Sequence, residues 1–326
     1  MIPLSVLDLV PIGTGTGPGA AIAASVALAR ESEAAGYDRV WYAEHHNMPT
    51  IASAATAVII AHVAAHTSTI RLGAGGVMLP NHSPLVIAEQ FGTLAEIHPG
   101  RIELGLGRAP GTDQVTSRAL RRDPAAADTF PEDVVELQGY LGDTSRVPGV
   151  DAVPGRGTHV PIYLLGSSLF GARLAAALGL PYAFASHFAP AALTQAVATY
   201  RAEFRPSPAL ERPRVLAGVN VVLGETRAEA EHELDQVKVA RVAAFFGRGG
   251  RTLTDDDARE VLRSPAGRQI EGMLACSAVG TPDDVRAQLK AFAEQAHADE
   301  LITVHQATST AGRLRSVRLT AEAMAA

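Results

Sequence analysis

The sequence predicts a closed (β/α)8 barrel, built as one domain over residues 1–326 with irregular insertions at the C-terminal face. Three observations lead there. Short β-branched or aromatic runs alternate with Ala-rich segments of helical spacing, a rhythm that makes a parallel sheet with helices outside it. Eight such runs can be counted in one chain of barrel length. Polar residues and glycines collect where the runs end, while the run bodies are apolar. An open doubly wound sheet is the competing arrangement. Against it, no GxGxxG turn follows the first strand, because "GTGTGPG" carries a proline where a helix would start.

Taken in order, strands are expected over 4–12, 39–44, 70–78 and 101–107, with helices over 20–35, 52–65 and 84–97 between them. Ser53 reads as a cap for the second helix, and Ser83-Pro84 as a cap with proline at the first helical position of the third. After "GRAPGTD" the alternation stops. Residues 111–158 read as a long excursion over one face, with one helix over 131–141. Strands resume over 161–166, 182–186 and 215–223. A second irregular patch covers 247–272, in which "GRGGRT" is expected to be mobile. A helix starts at Thr281-Pro282-Asp283-Asp284, a last strand covers 301–305, and a closing helix ends near Met324.

Composition narrows the function. Hydrophobic residues make up 47% and charged residues 19%, enough apolar side chain for a large core. A net charge of -6 offers no basic footprint for nucleic acid or an anionic membrane. The N-terminal stretch lacks a basic n-region and is broken by Asp8 and Pro11, so no signal peptide is expected. No uncharged apolar stretch reaches membrane-spanning length. The single cysteine, Cys276, fits a reducing cytosol and reads as a small apolar residue. A soluble cytoplasmic protein is expected.

A barrel of this kind works at the C-terminal ends of its strands. There the sequence delivers Glu44-His45-His46, Gly75-Gly76, Gly107-Arg108, Gly166-Ser167-Ser168, Ser186-His187 and His305-Gln306. "YLLGSSLFG" sets Gly166, Ser167 and Ser168 between a strand and the first turn of a helix, where free N–H groups and the helix dipole favour an anion. Arg108 adds a cationic fork. Each alone is explained by ordinary capping or a surface ion pair; together on adjacent strands they favour a phosphorylated ligand. Gly75-Gly76 lets a flat ring lie against the chain, or marks a simple bulge. His45 and His46 point to opposite faces, and no HxH, HExxH or CxxC spacing occurs, so no metal site is expected. An acid/base or hydrogen-bonding role beside Glu44 fits one of the pair better. His62, His66, His82 and His98 read as solvated, and Trp41 as core.

The segment from Trp41 to Asp113, with its Glu-His-His triplet, "LPNHSPLVIAEQ" and "HPGRIELGLGRAPG", closely resembles the bacterial luciferase-like flavin monooxygenase superfamily. Likeness is strongest over 35–115 and continues through "YLLGSS", "VGTPDDVRAQL" and "DELITVH". The resemblance implies a barrel, usually dimeric, that binds reduced FMN supplied by a separate reductase and uses O2 on a small organic substrate. It implies that His45 helps stabilise the flavin hydroperoxide and acts as acid/base, with Glu44 beside it. It further implies that Gly75-Gly76 is a non-prolyl cis peptide under the isoalloxazine, that Glu89 lies near the flavin, and that Gly166, Ser167, Ser168 and Arg108 hold the phosphate. Ala109 departs from the glycine frequent in relatives, and the 111–158 excursion is short for an ordered lid. Two rivals share the barrel: an F420-dependent oxidoreductase without oxygen chemistry, and a flavin-binding protein without turnover.

Overall fold

The computed structural model describes residues 2–13, 15–246 and 253–326. The "GRGGRT" stretch, 247–252, lies outside the described residues. The first half follows the expected rhythm: β1 (Leu4–Asp8), α1 (Pro18–Ala34), β2 (Arg39–Tyr42), α2 (Thr56–Ala64), β3 (Arg71–Met78), α3 (Pro84–Ile97) and β4 (Ile102–Gly107). The excursion then holds α4 (Gln114–Ala119) and α5 (Phe130–Leu141). The rhythm resumes with β5 (Ile162–Gly166), α6 (Leu169–Leu178), β6 (Tyr182–Phe184), α7 (Leu193–Glu203) and β7 (Val215–Leu223). It closes through α8 (Arg227–Phe246), α9 (Asp255–Leu262), α10 (Pro265–Met273), β8 (Ser277–Gly280), α11 (Pro282–Gln295), β9 (Glu300–His305) and α12 (Thr310–Ala325).

All pairings between strands are parallel. β1 to β6 pair in sequence, β6 pairs with β7, β7 with β9 and β9 with β1, so eight strands close on themselves. β8 adds a ninth strand, pairing Ser277–Gly280 with Asn220–Leu223 at the far end of β7. Among the described residues no helix is long and apolar enough to cross a membrane.

Period-two alternation sorts the strand side chains. Leu7, Trp41, Ala43, Tyr163, Ala183, Leu216, Ile302 and Val304 pack together inside the barrel. Their neighbours Val6, Val40, Leu72, Leu104, Leu164 and Val219 face the helices in the main core. Trp41 dictates glycine on the adjacent strand: a Cβ on Gly73 would lie 2.9 Å from its indole and 2.7 Å from the Glu103 carbonyl oxygen. At the N-terminal floor Arg39, fully buried, donates to both Glu103 oxygens at 3.1 Å, to Glu300 at 3.1 Å and to the Tyr163 hydroxyl at 2.7 Å. Trp41 Nε1 donates to the same Glu103 at 3.0 Å, and Ser5 to Glu300. This plug closes one end of the barrel and leaves the other for chemistry.

Several expected boundaries move. β1 stops at Asp8, not 12: Asp8 is its last residue paired with β2, and the Asp8 carboxylate accepts from Ser25 (2.6 Å), the Val10 N–H (2.8 Å) and Arg313 (2.8 Å). Ser53 is no cap: α2 begins three residues later, and the Ser53 hydroxyl instead donates to the Leu9 and Ala43 carbonyls, tying β1 to β2. The 247–272 patch is not irregular throughout. Thr254 and Asp257 form a capping box that opens α9, and Ser264-Pro265 open α10. These two helices pack on α8 through Val239, Val242, Ala258, Ile270 and Leu274.

Candidate active site

The ladder of β2 ends at Tyr42, and the next residues turn across the barrel mouth. Glu44 turns outward and is 1% exposed. Its Oε1 accepts from Nε2 of His46 at 2.8 Å and from Nε2 of His82 at 2.9 Å; Oε2 accepts from the Met78 N–H at 3.1 Å. Asn81 Nδ2 adds a bond at 3.3 Å and also donates to the Pro110 carbonyl at 3.0 Å. Burial pushes the carboxyl up, but the bonds from His82, His46 and Met78 outweigh it, so Glu44 sits below the usual carboxylate range. An ionised acceptor with this many donors holds other groups in place.

His82 therefore is not solvated. The 3-10 turn Leu79–Asn81 folds it back onto Glu44. Among the described residues Glu44, His46 and His82 bring their ligand atoms within 4.8 Å of one another, the kind of grouping that can take a divalent ion. Motif spacing could not reveal it, because His82 comes from a different strand end.

His45, half-buried, follows β2 between Glu44 and His46 and makes no bond to the Glu44 carboxylate. Its N–H donates to the Ser53 carbonyl at 2.9 Å, which fixes the backbone. The ring Nδ1 is buried and has no partner among the described residues, and burial lowers the imidazole pKa, so the ring is neutral near pH 7. His187 stands near it: burial, then the charges of Arg241 and His45, push its pKa down to about 4. The His187 ring rests on the backbone of Gly218, where a Cβ would lie 2.3 Å from Nδ1. Asn220 donates to the His187 carbonyl at 2.8 Å and accepts from Gln306 at 2.9 Å. Asn220 and Arg241 were not singled out in the sequence. Asn220 had a signal, being the one polar side chain in the buried run "VLAGVNVVL".

Gly75-Gly76 is a cis peptide, and the Gly76 carbonyl accepts from the Glu44 N–H at 3.3 Å. A Cβ on Gly76 would lie 2.7 Å from the Gly105 carbonyl oxygen, so glycine is required there. The ends of β2 and β3 are thus joined through Glu44, by its N–H and by its carboxylate.

At the ends of β4 and β5, Arg108 is exposed and its guanidinium lies 4.2 Å over the Phe170 ring. Ser167 and Ser168 are exposed beside it. Ser168 is the extended N-cap of α6, yet its hydroxyl makes no capping bond. Tyr182 fixes the turn by donating to the Ser168 carbonyl at 3.1 Å, and the Gly166 carbonyl accepts from the Ala185 N–H at 3.0 Å. First-turn N–H groups, two free hydroxyls and a guanidinium therefore share one corner.

Two expected residues stand apart. Glu89 is half-buried in the second turn of α3, and no hydrogen bond joins it to the Glu44 cluster. His305 turns outward against α12: Nδ1 pairs with Ser316 at 2.7 Å and Nε2 with Thr303 at 3.0 Å. Its neighbour Gln306 reaches the mouth instead. A depression of 910 Å³ lined by Arg201, His297, Asp299 and Met324 lies at the other end of the barrel, beside the start of β1.

Comparison with known proteins agrees with this geometry. The luciferase-like monooxygenase family matches residues 2–300. A luciferase-like monooxygenase of Escherichia coli strain K12 is 46% identical over 320 residues, covering 98% of this chain and 96% of that protein. The N-acetyl-S-alkylcysteine monooxygenase of Bacillus subtilis is 41% identical over 196 residues, 57% of each chain. The crystal structure of apo-MsnO8 superposes with a TM-score of 0.88 at 36% identity, covering 100% of this chain and 99% of that one. More distant barrels share the fold alone. They include an FMN complex of a type II Baeyer–Villiger monooxygenase from Pseudomonas putida (17% identity, TM-score 0.75, covering 100% and 98%) and an F420-dependent secondary alcohol dehydrogenase (15%, 0.72, 99% and 99%). The chain belongs to the luciferase-like monooxygenase family.

Proposed function

We propose that this chain is an FMN-dependent monooxygenase of the cytoplasm, taking reduced FMN from a separate flavin reductase and using O2 to oxidise a small organic substrate. One observation carries the reading: an anion corner built from Arg108 and the start of α6 shares the barrel mouth with the unpartnered ring of His45. The residues fit the cofactor. The uncapped Ser168 hydroxyl, Ser167, the Gly166 turn and Arg108 would hold the phosphate. Gly75-Gly76 offers the ring a surface free of side chains. When bound, reduced FMN supplies the two electrons that activate O2.

His45 is half-buried with its Nδ1 shielded, and burial lowers its pKa, so it can give or take a hydrogen bond at Nδ1 and move a proton there. Glu44 is a positioning residue, tying His46, His82 and the end of β3 together next to His45 in the chain. Val58, Val86 and Ile97 are exposed on α2 and α3, which fits the expected homodimer. The partial likeness to an N-acetyl-S-alkylcysteine monooxygenase makes N-acylated thioether amino acids the first substrate class to try.

The test is anaerobic titration with reduced FMN and reduced F420 side by side, followed by oxygen and N-acetyl-S-methylcysteine. Preferential FMN binding with an oxygenated product is expected. Preference for F420, or turnover independent of oxygen, would move the chain to deazaflavin hydride transfer.

A further inference from the structure

Among the described residues the buried acidic side chains are Asp8, Glu44, Glu103 and Glu300, and all but one face an arginine. Asp8 pairs with Arg313, Glu103 with Arg39 and Arg71, and Glu300 with Arg39 and Arg214. Glu44 is the exception: its ion-pair partners among the described residues are His46 and His82, with no lysine or arginine. A carboxylate this deep calls for a full counter-charge. The two Nε2 atoms meet the same oxygen, Oε1, at 2.8 and 2.9 Å, and the three ligand atoms lie within 4.8 Å of one another. Donors held about 2.0–2.2 Å from one transition-metal ion sit about 3 Å from each other. The two oxygen–nitrogen spacings already match that. Beside them Asn81 Nδ2 lies 3.3 Å from Oε1, and Oδ1 of the same amide is buried with no partner among the described residues. The Glu44 side chain is 2% exposed, but those of His46 and His82 are 17% and 30% exposed, which gives an ion a way in and room for a water ligand.

We propose that Glu44, His46 and His82 bind a divalent transition-metal ion, which pins the ends of β2 and β3 to each other. Two imidazoles with one carboxylate select Zn2+ and its transition-metal neighbours over Mg2+ or Ca2+, which favour oxygen ligands. Binding displaces the two Nε2 protons, to Nδ1 or to solvent, because a ligating imidazole offers a lone pair. The site goes beyond the monooxygenase reading and does not depend on it, since none of its three side chains is assigned to hold the flavin.

The experiment is Zn2+ binding to the full chain after chelator treatment and dialysis, read by competition with a chromophoric chelator and by melting temperature. Wild type should bind one tight equivalent and melt at a higher temperature with Zn2+, while Mg2+ does neither. His82→Gln keeps a hydrogen-bond donor for Glu44 but removes the imidazole. It should bind Zn2+ at least about tenfold more weakly and lose the Zn2+ shift in melting temperature. His46→Ala should lose at least as much, and it carries the test if His82→Gln fails to fold. The exposed rings of His62 and His66, 4.7 Å apart at the end of α2, are a second place for an adventitious ion. The double variant His62→Ala/His66→Ala should therefore bind as wild type does. No saturable binding, no rise in melting temperature, full affinity in either imidazole variant, or loss confined to the His62/His66 variant overturns the site.

Discussion

Each histidine near the barrel axis is defined by what its neighbours leave unpaired. His46 and His82 spend a nitrogen on Glu44, while the Nδ1 atoms of His45 and His187 are spent on nothing. His305 is fully committed to Thr303 and Ser316, and burial pushes its pKa down to about 3. That depression fixes a pH dependence. Below the ordinary histidine value of 6.5 the unfolded chain takes up a proton that the folded ring refuses, so stability falls as pH drops from 6.5 towards 3. The melting temperature should decline over that window, and His305→Asn should flatten the slope. Equal slopes in the two proteins would mean that His305 is protonated inside the fold. The sequence shows which residues follow the strands, and strand alternation separates His45 from His46. It could not show that His305 turns away or that His82 folds back, since both depend on partners far along the chain.

Elements were legible where they carried their own signal. β7 is apolar but for Asn220, and α11 opens with a Thr281–Asp284 capping box, so both stand out in the sequence. The same box at Thr254–Asp257 stands in "TLTDDDARE", where the glycine-rich stretch before it masks the start of a helix. β8 has only four residues and one β-branched side chain, too little pattern to stand out. β3 illustrates an element set by its neighbour: Trp41 fills the space where Gly73 would have a side chain. Gly73→Ala should cost about 1–3 kcal/mol, read as a lower urea midpoint at unchanged slope. A midpoint equal to wild type would mean that Trp41 moves freely, contrary to its packing inside the barrel.

For the whole molecule, the floor and the mouth divide the work. Arg39, Glu103, Glu300 and Tyr163 seal the N-terminal end with a buried ionic cluster, where removing one partner would strand the others. Of the groups left unpaired among the described residues, the Nδ1 atoms of His45 and His187 and the Ser168 hydroxyl follow the ends of β2, β6 and β5, with Arg108 after β4. The central claim, that Arg108 and the start of α6 anchor the phosphate of a flavin whose ring reaches His45, is tested most directly by anaerobic binding of reduced FMN and reduced riboflavin to wild type and Arg108→Ala. Wild type should prefer FMN by about tenfold or more, and the variant should lose that preference with riboflavin affinity unchanged. Equal weakening of both ligands, or a preference that survives the substitution, would contradict it.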